Sequence, residues 1–274
     1  AALSGQKCTL SGIDHREDIL ASIDCLRALG AKISVCGDTV TVDPQGFMQV
    51  DSPILECRES GSTLRFFIPL ALCLGRTVTL RGSERLFERP LGIYEELCRD
   101  RGFTFERSKR SLTLCGRLED THYTIRGDIS SQFITGLILA LVYMGKDSSI
   151  DIIPPFESRS YIDLTISALR SFGAEVAFAD EYRIEIKASS LHAVCQRIEG
   201  DHSNAAFLVS VTPDDFGSDD PLAGIELQRK IEKTAFELGG GDYSAPCQTI
   251  GDFLADRPSK KLSYVKPTVA TGVT

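Results

Sequence analysis

The sequence predicts an α/β (α+β) domain assembled from copies of one unit, with buried helices and sheets on the outside. Three observations carry this. An amphipathic helix stopped by glycine recurs three times, with the glycines at 30, 102 and 173. Apolar runs opened by serine interleave with these helices at nearly the same period. Short stretches of two-residue alternation follow each glycine, as half-buried antiparallel strands require.

In chain order, Ala1-Ala-Leu-Ser-Gly5 matches the tail of an apolar helix, and residues 7–10 read as a strand. The segment Cys25-Leu-Arg-Ala-Leu-Gly30 ends the first amphipathic helix, and a hairpin over 32–42 follows. Ser60-Gly-Ser-Thr-Leu-Arg65 opens an apolar run to Gly75, with a kink expected at Pro69, and 77–80 is strand-like. The second amphipathic helix stops at Gly102. Ser130-Ser-Gln-Phe133 opens a run to Gly145 that is apolar all round, so the helix is expected to be buried on every side. A strand at 149–153, a third amphipathic helix ending at Gly173 and a hairpin over 175–186 complete the next unit. The glycines suit the left-handed position just past a helix end, which only glycine enters freely. A third apolar helix starts at Ser203 but meets Thr212-Pro213 after two turns. Five of the eleven prolines fall beyond residue 211, so the period ends there and the domain boundary is placed at 210/211. Residues 1–210 form the repeat domain, and 211–274 are expected to be a poorly packed tail.

A net charge of −8 argues against nucleic acid as a partner, while leaving room for small phosphates at a locally basic site. Nine singly scattered cysteines with no CxxC pair read as reduced thiols of a cytoplasmic protein. Four separated histidines give no zinc pattern. The longest apolar stretch, 133–144, is too short to span a bilayer, and no signal peptide is expected.

The groups suited to chemistry lie at the starts of the apolar helices. Ser60 to Arg65 and Ser130 to Gln132 place small and hydroxylated residues where free N–H groups and a partial positive charge favour an anion. An ordinary serine cap explains each alone; two equivalent starts with arginines nearby favour phosphate. Arg65, in the second turn, suits a phosphate partner. Arg89-Pro90 and Ser158-Arg-Ser-Tyr161 are the equivalent stretches before the amphipathic helices, and neither is specific alone.

Together, Glu59-Ser-Gly61-Ser-Thr-Leu-Arg65, Glu88-Arg-Pro-Leu-Gly92, Gly127-Asp-Ile-Ser-Ser-Gln-Phe133 and Ser158-Arg-Ser-Tyr-Ile-Asp-Leu-Thr165 occur in the order and spacing of 5-enolpyruvylshikimate-3-phosphate synthases. Glu199-Gly-Asp-His-Ser-Asn204 also resembles that family. The resemblance implies one domain of a two-domain enolpyruvyl transferase architecture, each domain holding three βαβαββ units. It implies a transferase of the shikimate pathway that moves the enolpyruvyl group of phosphoenolpyruvate to the 5-hydroxyl of shikimate 3-phosphate, without metal or organic cofactor. It assigns Ser130, Ser131 and Ser158 to the phosphate of shikimate 3-phosphate, Tyr161 to the shikimate ring, Gln132 to both substrates, and Gly61, Arg65 and Arg89 to phosphoenolpyruvate. The family often has Asn where this chain has Glu59, a carboxylate that repels phosphate unless paired. The acid/base residues belong to a second domain with no match in this chain, and the family's leading Lys-Ser-x-Ser-x-Arg motif is also unmatched. The chain is therefore expected to be inactive alone.

The tail, from Asn204 and again at Gly251-Asp-Phe-Leu-Ala-Asp-Arg-Pro-Ser259, resembles an internal piece of a family of FAD-dependent dehydrogenases, which makes the chain a hybrid. It has no GxGxxG and is not expected to hold a dinucleotide. The alternatives are the transferase acting on UDP-N-acetylglucosamine, disfavoured by the Gly127–Phe133 and Ser158–Asp163 stretches, and a non-catalytic phosphate-binding fragment.

Overall fold

The computed structural model of the protein describes residues 1–156 and 159–198. The glycine stops set its rhythm. Helix α1 (Glu17–Ala28) carries Glu17 and Asp18 in its first turn and Arg27 in its last, charges that suit the two ends of a helix. Past its end Gly30 takes φ 101°, and the Ala31 N–H closes back on the Leu26 carbonyl at 3.1 Å. Gly102 (φ 66°) after α4 (Gly92–Asp100) repeats this, Phe103 N–H reaching Cys98 O at 2.8 Å. Gly173 (φ 88°) after α6 (Arg159–Ser171) does so again, with Ala174 N–H on Leu169 O at 3.1 Å. Three helices thus end in one geometry, each turning into a hairpin.

The hairpins build three sheets of one design. Strands β4 (Ile54–Glu56), β5 (Val78–Arg81), β6 (Thr104–Arg107) and β7 (Ser111–Cys115) lie in the order β4-β5-β7-β6, the first pair parallel and the others antiparallel. Strands β8 (His122–Arg126), β9 (Ser148–Ile153), β10 (Glu175–Phe178) and β11 (Arg183–Lys187) repeat it as β8-β9-β11-β10. The third sheet joins both ends of the described chain: β1 (Cys8–Ser11), β2 (Lys32–Cys36) and β3 (Thr39–Asp43) are completed by β12 (Gln196–Arg197), parallel to β1 with Leu10 opposite Gln196. Each sheet turns one face inward; β3 buries Val40 and Val42, β7 Leu112 and Leu114, β11 Ile184 and Ile186.

The inner layer is helical. Helices α2 (Gly61–Leu72) and α5 (Ser131–Met144) are the serine-opened apolar runs, and α2 continues past Pro69 to Leu72. They cross where α5 carries Gly136: a Cβ there would stand 2.5 Å from the Arg65 carbonyl oxygen and 2.6 Å from the Tyr94 hydroxyl. Tyr94, on α4, is fully buried and donates to the Phe133 carbonyl at 2.8 Å, tying α4 to α5. The expectation that α5 is wrapped on every side is corrected: Tyr143 and Met144 in its last turn are partly exposed. Leu139 is only partly covered, because that flank of α5 opens on a hollow beside α6.

The strand expected at 77–80 is β5, shifted by one residue. The strands that open each unit, β4, β8 and β12, and the short helix α3 (Glu84–Glu88) were not located from sequence. The helix expected from Ser203, the boundary at 210/211 and the tail lie outside the described residues.

Candidate functional site

The starts of α2, α5 and α6 face one end of the helical layer. Ser60 caps α2, its Oγ accepting the Thr63 N–H at 3.2 Å, and Ser130 caps α5, accepting the Gln132 N–H at 3.3 Å. The first N–H groups of a helix have no partner inside it, so each start presents donors with a partial positive charge. The α2 start is held firmly from behind. Thr63 Oγ1 donates to the Asp18 carbonyl at 3.2 Å and meets Ser22 Oγ at 2.9 Å. Arg58, in the loop leading to α2, adopts a left-handed φ of 54°, a strained state for a residue with a side chain. Its guanidinium reaches Glu17 and Asp24 on α1, each at 2.7 Å.

Arg65 links two of the starts. Its Nη1 donates to Gln132 Oε1 at 2.6 Å, its Nη2 lies 3.4 Å from the Pro90 carbonyl, and its guanidinium sits 5.1 Å over the Phe133 ring. Its Nε is buried with no hydrogen-bond partner. Burial, then the nearby charge of Arg89, pulls the Arg65 guanidinium below its ordinary pKa. Arg89 ends α3 in extended backbone, and Arg107 Nη2 holds its carbonyl at 3.1 Å. Its guanidinium lies in the space where a Cβ at Gly61 would stand. Among the described residues, no carboxylate pairs with Arg65 or Arg89. Two guanidiniums thus converge on the amides of a helix start with their charge uncompensated, an arrangement that favours an anion.

Ser131 is buried in the first turn of α5. Tyr161 is 60% exposed on the first turn of α6. Its carbonyl accepts from Thr165 Oγ1 at 2.9 Å, and Thr165 meets Thr135 of α5 at 3.1 Å. Tyr161 therefore stands at the same end as Ser131. Seven of the eight predicted site residues share this end; the eighth, Ser158, lies outside the described residues. Glu59 is exposed and lines a hollow of about 400 Å³ with Arg58, Arg81 and Arg110, but no ion pair holds it among the described residues. Sequence reasoning missed Phe133 as the floor beneath Arg65, and Arg107, which lies on β6 beyond helix α4 with no local signal. Among the described residues there is no cluster of three His, Cys, Asp or Glu able to hold a metal, and no helix long and apolar enough to cross a membrane.

Residues 1–212 match the family described as EPSP synthase (3-phosphoshikimate 1-carboxyvinyltransferase). Residues 194–274 match another, described as FAD-dependent protein, C-terminal domain-like, and the two matches overlap over 194–212. A 3-phosphoshikimate 1-carboxyvinyltransferase of Clostridium kluyveri is 38% identical over 210 residues, covering 76% of this chain and 49% of that protein. One from Clostridium perfringens is 34% identical over 214 residues, covering 77% and 50%. The chain thus spans about half the length of the curated relatives it matches. The solved EPSP synthase of Acinetobacter baumannii superposes with a TM-score of 0.62 at 20% identity, covering 77% of this chain and 49% of that one, a likeness of fold. With its three sheets of one order and its paired central helices, the chain belongs to the EPSP synthase family.

Proposed function

We propose that this chain supplies one wall of a cleft in which the enolpyruvyl group of phosphoenolpyruvate is transferred to the 5-hydroxyl of shikimate 3-phosphate. The observation that carries the reading is the convergence of Arg65, Arg89 and the amides of α2 at Gly61, beside the serine-rich start of α5. In the reaction, the 5-hydroxyl gives up its proton as its oxygen bonds to C2 of phosphoenolpyruvate, and C3 gains a proton. Loss of that proton and of phosphate then restores the double bond. Both substrates are anions, so the task of this wall is to hold two phosphates close together and offset their repulsion. Gly61, Arg65 and Arg89 receive phosphoenolpyruvate. Ser130, Ser131 and Ser158 receive the phosphate of shikimate 3-phosphate, Tyr161 lies under its ring, and Gln132, already bonded to Arg65, joins the two positions. The proton-transfer groups come from a facing wall that these residues do not provide. The protein works in the cytoplasm.

Calorimetric titration with shikimate 3-phosphate tests the site. Weak binding is expected, reduced at least tenfold by the Ser130→Ala/Ser131→Ala pair, since charge-assisted hydrogen bonds contribute about 1.5–3 kcal/mol each. Equal binding by parent and double variant would overturn the assignment.

A further inference from the structure

The turn that leads into α2 carries a long side chain where glycine is the ordinary occupant. Strand β4 ends as the Cys57 N–H donates to the Arg81 carbonyl at 2.8 Å, and the Ser60 N–H closes back on the Cys57 carbonyl at 2.9 Å. Arg58 and Glu59 are the central residues of this turn, and of the two only Arg58 is left-handed. A positive φ at the first central position is dominated by glycine, because a β-carbon there crowds the neighbouring carbonyl. The start of α5 has no such turn. Two residues ahead of Ser130 stands Asp128, which is not left-handed and pairs with Arg126 of the adjoining strand at 2.7 Å.

The carbonyl of Arg58 reaches the next element, accepting the Ser83 N–H at 2.9 Å. Ser83 is the cap of α3, its Oγ accepting the Leu86 N–H at 3.2 Å, and α3 ends in Arg89. The approach is close, since a Cβ at Gly82 would stand 2.6 Å from the same carbonyl oxygen. On its other side the turn runs through Glu59 to Ser60, the cap of α2, and Gly61 follows. Arg58 is thus the joint between two short pieces whose far points, Gly61 and Arg89, meet at the candidate site. Strained backbone persists only where its surroundings compensate for it. Here the compensation comes from the strained residue's own side chain, whose guanidinium forks onto Glu17 and Asp24 of α1, each at 2.7 Å. Helix α1 is a firm anchor for α2 as well, because its Asp18 carbonyl accepts from Thr63.

We propose that Arg58 is a positioning residue for the phosphoenolpyruvate seat and acts through its backbone. Its guanidinium, anchored on α1, holds the turn left-handed, and the carbonyl of that turn sets the spacing between the Gly61 amide and the Arg89 guanidinium. The proposal rests on the reading of this end as that seat. The charge of Arg58 is matched by Glu17 and Asp24, so its role is geometric. A glycine takes such a turn without an anchor, whereas an uncharged side chain keeps the strain and loses the anchor. Both substitutions remove the two ion pairs equally, so they separate positioning from an ordinary surface contact.

The test compares Arg58→Gly with Arg58→Gln in the full chain by two readouts, hydrogen exchange of the Ser83 amide without ligand and calorimetric titration with phosphoenolpyruvate. Arg58→Gln is expected to speed Ser83 exchange and to weaken phosphoenolpyruvate binding by about fivefold each, the scale of one uncompensated left-handed residue. Arg58→Gly is expected to keep both within about twofold of the parent, since glycine enters this backbone freely. Equal losses in the two variants, or no loss in Arg58→Gln, overturn the proposal. Arg89→Ala distinguishes that failure from a failure of the seat itself. If Arg89→Ala binds phosphoenolpyruvate as the parent does, the seat falls and the proposal with it. If Arg89→Ala loses affinity while the two Arg58 variants behave alike, the seat stands and Arg58 has no part in it.

Discussion

Replacing Gly136 by alanine sets two effects of opposite sign against each other. Within a helix the change is favourable, because glycine costs about 0.8–1 kcal/mol relative to alanine. Here the new methyl would stand 2.5 Å from the Arg65 carbonyl oxygen and 2.6 Å from the Tyr94 hydroxyl, where ordinary contacts begin near 3.4 Å. One of those obstacles is main chain, so relief requires α2 and α5 to separate. Overpacking of this kind costs about 1–3 kcal/mol, and displacing the Tyr94 hydroxyl from the Phe133 carbonyl adds about 0.5–1.5 kcal/mol. The clash outweighs the propensity, leaving a net loss of about 1–3 kcal/mol, or a urea midpoint lower by about 0.5–1.5 M for a slope near 2 kcal/mol per M. Circular dichroism through a urea titration measures it. Tyr94→Phe on the same background removes one obstacle and should recover part of the loss, a non-additive result for residues in contact. A midpoint that rises in Gly136→Ala would mean the two helices are not in close approach, and the packing argument would fail.

Gly61→Ala should weaken binding of phosphoenolpyruvate at least tenfold, because the methyl takes the space of the Arg89 guanidinium; calorimetry checks it, and an unchanged affinity removes Gly61 from the site. The Asp147 carboxylate is held below its ordinary range, first by the Ala188 N–H at 2.7 Å and further by Lys187. Its contribution to stability is therefore present above the unfolded-state pKa of about 4 and lost as pH falls below it. The midpoint gap between parent and Asp147→Asn should close on acidification; a gap constant to pH 2.5 contradicts the bond. Burial pushes the Cys98 thiol up to about 11 and Cys73 up to about 12, while Cys36 and Cys195 are exposed. Peptide mapping after brief treatment with a thiol reagent at pH 8 should find Cys36 and Cys195 modified and Cys73 and Cys98 intact until urea is added.

Much of this arrangement is legible in the residues because helix stops and two-residue alternation are local. Gly30, Gly102 and Gly173 each do the same work through a few backbone bonds, so their spacing reveals the unit. The strands that open each unit are harder to read. Three residues at 54–56 show too little alternation, and Gln196–Arg197 is a strand only because β1 lies beside it. The site divides along the same line. Serine-opened helix starts can be read directly, whereas the contact between Arg65 and Gln132 depends on how α2 crosses α5, and that crossing rests on one glycine. Arg107 supports Arg89 from the far side of α4, a relation that no spacing in the chain encodes.

The pairing of Leu10 with Gln196 bears on how the protein is made. On a ribosome the chain emerges from its front end, so β1, β2 and β3 are available long before the strand that completes their sheet. At about 5–20 residues per second, the free side of β1 waits on the order of ten to forty seconds for β12. For that interval the nascent chain displays an unpaired β edge, open to any passing strand. Vectorial synthesis therefore makes the first sheet begun the last one closed. Variants that slow elongation between residues 43 and 196 should aggregate more readily than variants of equal stability that do not.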